Sequence, residues 1–323
     1  MLAYLRLMRI PNVFTAMAEV LAAALFAAAF LGEEAALFPH WASLMLLMVA
    51  SGMLYSAGMV LNDYFDFEQD LKSRPNRPLP LEEISLQQAL IFGGGLLIGG
   101  VVLSAVVGFA FCDGLASWRL AVVAALLALL ILLYDKTFKK TLWAPLFMGL
   151  CRMANVLLGV SLVADWQGPL AGFSPAEVVI ASGMGIYVVG LTYLARQETE
   201  ENTPSRLVVS SVVMLVGIAM WGVVPYLGIE YPLTVWEKGG NVGGKQMWPI
   251  LLLFISLPVL RRLLVAWTAP NPGNIQLAVK QAIFSLLFYY ASLALAFSGP
   301  IPAVCILSFF IPMLLLGRYV YST

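Results

Sequence analysis

Apolar residues along this chain gather into ten long blocks, at about 11–31, 41–62, 88–112, 118–134, 143–164, 177–196, 206–228, 249–267, 276–297 and 301–319. A helix that crosses a bilayer needs about 20 predominantly apolar residues, and most of these blocks supply them. The pattern predicts an all-α polytopic membrane bundle of nine or ten transmembrane helices, organised as a single domain over residues 1–323. The count is open at the C-terminal end. Only Ser298, Gly299 and Pro300 separate the last two blocks, so a re-entrant final piece is the alternative.

The polar positions are bunched as well. Stretches 62–87, 135–142 and 196–206 carry the most charge. Basic residues orient a membrane protein with their excess on the cytoplasmic side. With the N-terminus inside, the inner segments hold Arg6, Arg9, Lys72, Arg74, Arg77, Lys136, Lys139, Lys140, Arg196, Arg206, Arg261, Arg262 and Arg318. The outer loops hold only Arg119, Lys238 and Lys245. All three charged stretches then fall on the cytoplasmic side, which predicts one polar site facing that compartment. Arg6 and Arg9 precede the first block as in a signal peptide, but the block is too long for that and leads into further spans; a retained helix is expected.

Composition narrows the class. Of 323 residues, 61% are apolar and 11% charged, with no net charge; soluble domains carry about 25% charged residues. This excludes a soluble two-domain enzyme, a disordered chain and a nucleic-acid binder. The single histidine, His40, leaves nothing for a histidine metal site or a Ser-His triad. Cys112, Cys151 and Cys305 lie in or beside apolar runs, without metal-ligand spacing, and read as small buried hydrophobes. Gly93, Gly94, Gly95, Gly99 and Gly100 sit in the middle of a block, where helix packing explains them better than a phosphate loop. Phe284, Phe288, Tyr289 and Tyr290 read mostly as core or lipid-facing, although a few cavity aromatics would suit a carbocation.

The densest chemistry lies in Asn62-Asp63-Tyr64-Phe65-Asp66-Phe67-Glu68-Gln69-Asp70. If the second helix continues through it, Asn62, Asp63, Asp66 and Asp70 share a face. Stacked carboxylates repel, and a divalent cation such as Mg²⁺ would neutralise them through oxygen ligands. A solvated helix end is the competing reading, and the pattern alone does not choose. Downstream, Lys72-Ser73-Arg74-Pro75-Asn76-Arg77-Pro78-Leu79-Pro80 is broken by three prolines. Arg74 and Arg77 suit the outer oxygens of a diphosphate; a topology loop explains their charge but not their acidic company. Arg152, within the fifth block, shares a face with Asn155. A charge inside the membrane marks a site by default. Arg152 is expected to reach the diphosphate, with an inter-helix ion pair, for instance to Glu19, as the alternative.

N-D-x-x-D-x-x-x-D followed by R-P-x-R-P-L-P resembles the first aspartate-rich motif of the UbiA superfamily of intramembrane prenyltransferases, and Met8-Arg9-Ile10-Pro11-Asn12 before the first span fits as well. The resemblance extends over about 1–300. It implies a nine-helix bundle around a central cavity, with two acidic motifs that bind an isoprenyl diphosphate through Mg²⁺. By this resemblance Asn62, Asp63, Asp66 and Asp70 form the metal–diphosphate group. Arg74 and Arg77 contact the diphosphate, with Asn12, Asn155 and Arg196 as further substrate contacts. Tyr134, Asp135, Lys136 and Lys140 match the family's Y-x-x-x-K-type loop.

The second acidic motif departs from the family pattern. Instead of K-D-x-x-D, the chain has Arg196-Gln197-Glu198-Thr199-Glu200-Glu201-Asn202. Glu198 and Glu201 are the expected metal ligands there, Glu198 with a catalytic role beside Asp63, Asp66 and Arg152, while Gln197 stands where an Asp is expected. This variant looks like the EboC-type branch. The implied reaction transfers an isoprenyl chain from a prenyl diphosphate to an aromatic or other lipophilic acceptor. The rival is a non-catalytic membrane carrier or transporter of a lipophilic metabolite, which explains the spans but not the double motif over 62–80.

Overall fold

The computed structural model describes residues 2–30, 41–112, 114–163, 172–197, 204–227 and 244–319. Every regular element among them is helical. A short α1 (Leu2–Leu7) precedes α2 (Ile10–Phe30) and α3 (Trp41–Phe65); then come α4 (Phe67–Ser73), α5 (Leu86–Phe111), α6 (Gly114–Leu133), α7 (Ala144–Val160), α8 (Pro175–Arg196) and α9 (Pro204–Val223). The chain ends with α10 (Gly244–Thr268), α11 (Pro272–Phe297), α12 (Pro300–Ser308) and α13 (Phe310–Tyr319). A π-helical turn, Tyr134–Phe138, prolongs α6.

Each of the ten apolar blocks carries a helix over most of its described residues. Among the described residues nine helical segments are long and apolar enough to span a membrane, and α7, with 17 residues, is shorter. The last of the nine, Pro300–Gly317, runs through α12 and α13. Pro312 has no N–H to give the Ser308 carbonyl, and the helix breaks at Phe309.

From α5 to α13 helices adjacent in sequence pack together, and α2 touches α3, α7, α11 and α13. It is the inner helix of the bundle: Ala18 and the residues from Val20 to Ala29 are buried. Its alanines let neighbours come close. A Cβ on Gly159 of α7 would lie 2.6 Å from the Val20 carbonyl oxygen, so only glycine fits there. The outer helices turn Ile98, Phe109 and Phe254 outward, a surface suited to lipid. The packing reading of the glycine run holds for Gly93, Gly99 and Gly100, which face α3 side chains, whereas Gly94 and Gly95 have open space beside them. Cys112 and Cys151 are half-buried; Cys305, expected inside, is exposed on α12.

The proline loop after α4 is not loose. Leu79 and Ile84 pack with Leu7, Val60 and Ala89 into a small apolar cluster beside the main core. This anchors the loop against the end of α3 and buries Arg77.

Candidate active site

A cavity of about 370 Å³ opens between α2, α3, α6, α7, α8 and α11. Its mouth is polar, with Arg9, Asn12, Tyr134 and Asp135. Below lies an apolar belt that includes Leu54, Ile131, Met148, Leu191 and Leu286. Thr15, Ser51, Arg152 and Asn155 add a polar patch to this wall, the floor of the cavity beside Glu19. At 1.5 Å per residue, Glu19, behind this floor, is about 10 Å further along α2 than Asn12. The cavity-wall aromatics are Tyr55 and Tyr134, not the α11 aromatics named above.

At the mouth the helix bearing the acids interrupts at Asp66, yet its hydrogen bonds persist. Asp66 N–H donates to the Asn62 carbonyl at 3.1 Å and Asp70 N–H to the Asp66 carbonyl at 2.9 Å. Asn62, Asp63, Asp66 and Asp70 therefore keep a common face, and all four are buried. Basic side chains neutralise them. Arg77 Nη1 bridges Asp63 Oδ1 at 2.9 Å and Asp70 Oδ2 at 2.7 Å. Arg9 Nη2 donates to Asp63 Oδ1 at 3.0 Å. Lys139 pairs with Asp66. Among the described residues no three acid, histidine or cysteine side chains gather around one point as a metal cage would. Guanidinium and ammonium groups stand between the carboxylates: Arg77 between Asp63 and Asp70, Lys139 against Asp66.

Arg74 is exposed, 3.9 Å from Asp70, at the rim rather than in the site. Lys136 and Lys140 are exposed as well, and Lys139 turns inward instead. The π-helical turn is the reason. It closes with Lys139 N–H on the Tyr134 carbonyl at 2.9 Å, so the residue five positions on, not four or six, returns over Tyr134. The same turn buries Asp135, whose Oδ1 accepts from Asn62 Nδ2 at 2.8 Å. Its other oxygen, Oδ2, is buried without a hydrogen-bond partner. Arg196 ties the end of α8 to this loop through the Thr141 carbonyl at 2.7 Å. Gln197 is fully buried. Glu198 and Glu201 lie outside the described residues.

On the floor Arg152 has the partner named as the alternative above, Glu19. Its Nη1 lies 3.2 Å from Glu19 Oε2, an inter-helix ion pair, and not among the mouth residues. An unpaired charge at this depth is costly, and Glu19 supplies the counter-charge. Glu19 also accepts from Asn155 Nδ2 at 2.6 Å and Tyr290 Oη at 2.7 Å. Ser51 Oγ donates to Asn155 Oδ1 at 2.7 Å. Arg152 keeps contact with the cavity, 5.5 Å over the Tyr55 ring.

Sequence reasoning gave no site role to Arg9 or Lys139. Arg9 has φ of 50°, in the left-handed region, at the break between α1 and α2. Such a backbone is rare outside glycine and concentrates at functional sites. Nothing in the sequence signals it beyond the Met-Arg-Ile-Pro-Asn context.

A membrane-type helical bundle with an apolar cavity rimmed by paired acids and bases defines the class. The sequence pattern of the UbiA prenyltransferase family matches residues 20–264, and the chain belongs to that family. Among similar proteins, digeranylgeranylglyceryl phosphate synthase of Ignicoccus hospitalis is 34% identical over 174 residues, 52% of this chain and 50% of that one. The synthase of the same name from Sulfurisphaera tokodaii is 31% identical over 179 residues, 55% of each chain. The chain thus spans about half the length of the curated relatives it matches. Among solved structures, a UbiA homolog from Archaeoglobus fulgidus bound to DMAPP and Mg²⁺ aligns with TM-score 0.55 and 13% identity, over 89% of this chain and 98% of that one. A structure described as digeranylgeranylglyceryl phosphate synthase aligns with TM-score 0.59 and 21% identity, over 91% and 97%.

Proposed function

We propose that the protein is an intramembrane prenyltransferase, moving an isoprenyl chain from a prenyl diphosphate to a lipophilic acceptor. The observation that carries this reading is the mouth itself: a compact set of acids and bases opening onto an apolar cavity in the bundle interior. A diphosphate is held at such a mouth while its hydrocarbon tail occupies the belt below.

In this reading Arg9, Arg77 and Lys139 exchange their carboxylate partners for diphosphate oxygens. They stabilise the leaving group as the C–O bond breaks and its electron pair departs with the diphosphate. The apolar belt excludes water from the allylic cation, and Tyr55 and Tyr134 present ring faces or edges to it. The acceptor supplies the new bonding pair and loses a proton. Oxygen donors from Asn62, Asp63, Asp66 and Asp70, with Glu198 and Glu201 from the altered second motif, are the hard ligands that Mg²⁺ takes, and the partnerless Asp135 oxygen is of the same kind. Mg²⁺, when bound, adds positive charge against the departing diphosphate.

The same reading puts the N-terminus and the mouth on the cytoplasmic side, with the whole of 1–323 serving one domain. For the acceptor, the names of the relatives favour a glyceryl phosphate lipid over an aromatic ring. The EboC-type assignment rests on R-Q-E-T-E alone. The buried Gln197, where an acid is expected, favours the second reading, a binder without transfer. Radiolabelled geranylgeranyl diphosphate, offered with extracted membrane lipids as acceptors, separates the two. Release of diphosphate with label in a new lipid supports transfer. Retention of intact label under every acceptor mixture contradicts it.

A further inference from the structure

The mouth holds one group that neither the acidic motifs nor their basic partners use. Asp135 is 6% exposed and borders the cavity, and its Oδ2 is buried with no hydrogen-bond partner. A buried carboxylate oxygen left bare is costly unless something meets it. The basic groups nearby are committed: Arg9 and Arg77 to Asp63, and Lys139 to Asp66. Asn62 gives its amide N–H to Asp135 Oδ1, which leaves its carbonyl oxygen as a donor. Asp66, one turn after Asn62, is near enough to Asp135 for the two charges to repel.

We infer that Asp135 is itself a divalent-cation ligand, completing with Asn62 and Asp66 a Mg²⁺ site between the end of α3 and the π-helical turn. Mg²⁺ uses one or two carboxylates, keeps several waters and shares phosphate oxygens. Two acids and one amide meet that demand without a three-carboxylate cage, in keeping with the absence of such a cage among the described residues. The π-helical turn is what makes the site: it buries Asp135 against Asn62 and places Lys139 beside Asp66. With an ion held by Asp66, the Lys139 ammonium would be released to pair with phosphate oxygens of a substrate. The site offers this chain a carboxylate from a third segment where the second acidic motif has lost its first acid to Gln197. The inference rests on the proposed diphosphate reading, and the experiment separates the two.

Mn²⁺, as a paramagnetic substitute for Mg²⁺, is titrated into the purified protein and followed by electron paramagnetic resonance, first alone and then with inorganic pyrophosphate. Wild type is expected to bind, Asp135→Asn to bind at least tenfold more weakly, and Glu68→Gln, an exposed acid on α4, to stay within twofold. Asp135→Asn keeps the oxygen that accepts from Asn62. If it aggregates, Asp135→Glu is measured instead, and its displaced oxygens should change the affinity more than threefold. Wild-type affinity in the Asp135 variant, with Asp66→Asn deficient, overturns Asp135 as a ligand and leaves the diphosphate reading standing. No Mn²⁺ binding by wild type, even with pyrophosphate, overturns both.

Discussion

At the mouth of the cavity, Asp63, Asp66, Asp70 and Asp135 face Arg9, Arg77 and Lys139, and a buried carboxylate oxygen, Asp135 Oδ2, has no hydrogen-bond partner. At the floor, a lone carboxylate, Glu19, is bonded by Arg152, Asn155 and Tyr290. Both clusters are buried and both join helices distant in sequence. The difference is in how completely each is closed. The floor joins α2, α7 and α11 around one neutral pair, with every oxygen of Glu19 used. Arg152 and Asn155 line the cavity but both are bonded to Glu19, so a ligand gains little by breaking the pair. At the mouth four acids face three bases, and of these bases Arg9 and Lys139 are only partly buried. Such partners can change hands. The comparison assigns architecture to the floor and ligand exchange to the mouth.

The largest effect expected from this contrast is at the floor. Glu19→Ala leaves Arg152 buried without its counter-charge and should cost about 3–5 kcal/mol of stability. Replacing both residues, Glu19→Leu with Arg152→Leu, should recover most of it, because a buried pair can be exchanged for apolar side chains at little net cost. Thermal denaturation in detergent measures both. A double variant as unstable as the single one would show that the pair does more than hold helices.

Next in size, Asp63→Ala and Asp66→Ala should each lower Mg²⁺-dependent binding of geranylgeranyl diphosphate about 100-fold, the loss of one charge-assisted contact at the upper end of its range. Unchanged binding in both would remove the metal–diphosphate assignment. Arg77→Ala should weaken binding about tenfold, although it also releases the proline loop. Equal affinity would make Arg77 an anchor for that loop and nothing more. The finest test is between neighbours in sequence. Lys139→Ala should lose about tenfold in diphosphate affinity, while exposed Lys140→Ala should stay within twofold of wild type by isothermal titration. The reverse order would contradict the inward placement set by the π-helical turn.

Much of this was legible in the sequence, and the exceptions share a cause. The helices follow from long apolar blocks, because the bilayer's thickness fixes how much apolar chain a span needs. Asn62, Asp63, Asp66 and Asp70 were found because period-3.6 spacing survives the break at Asp66. Lys139 was missed because the loop's resemblance to the family pattern points to Lys136 and Lys140, whereas the π-helical turn brings the residue five positions after Tyr134 inward. Arg9 was missed for a like reason: its direction depends on a positive φ that no pattern of side chains reports. For Arg152 the sequence offered two partners, a diphosphate and Glu19; the pairing with Glu19 depends on tertiary packing of α2 against α7, which periodicity does not contain.

The most direct test of the central claim is binding of geranylgeranyl diphosphate to the purified protein, first with Mg²⁺ and then with EDTA. The account predicts saturable binding that EDTA abolishes and that Glu19→Leu with Arg152→Leu leaves within a few-fold of wild type. Binding that is indifferent to EDTA, or absent under both conditions, would contradict it.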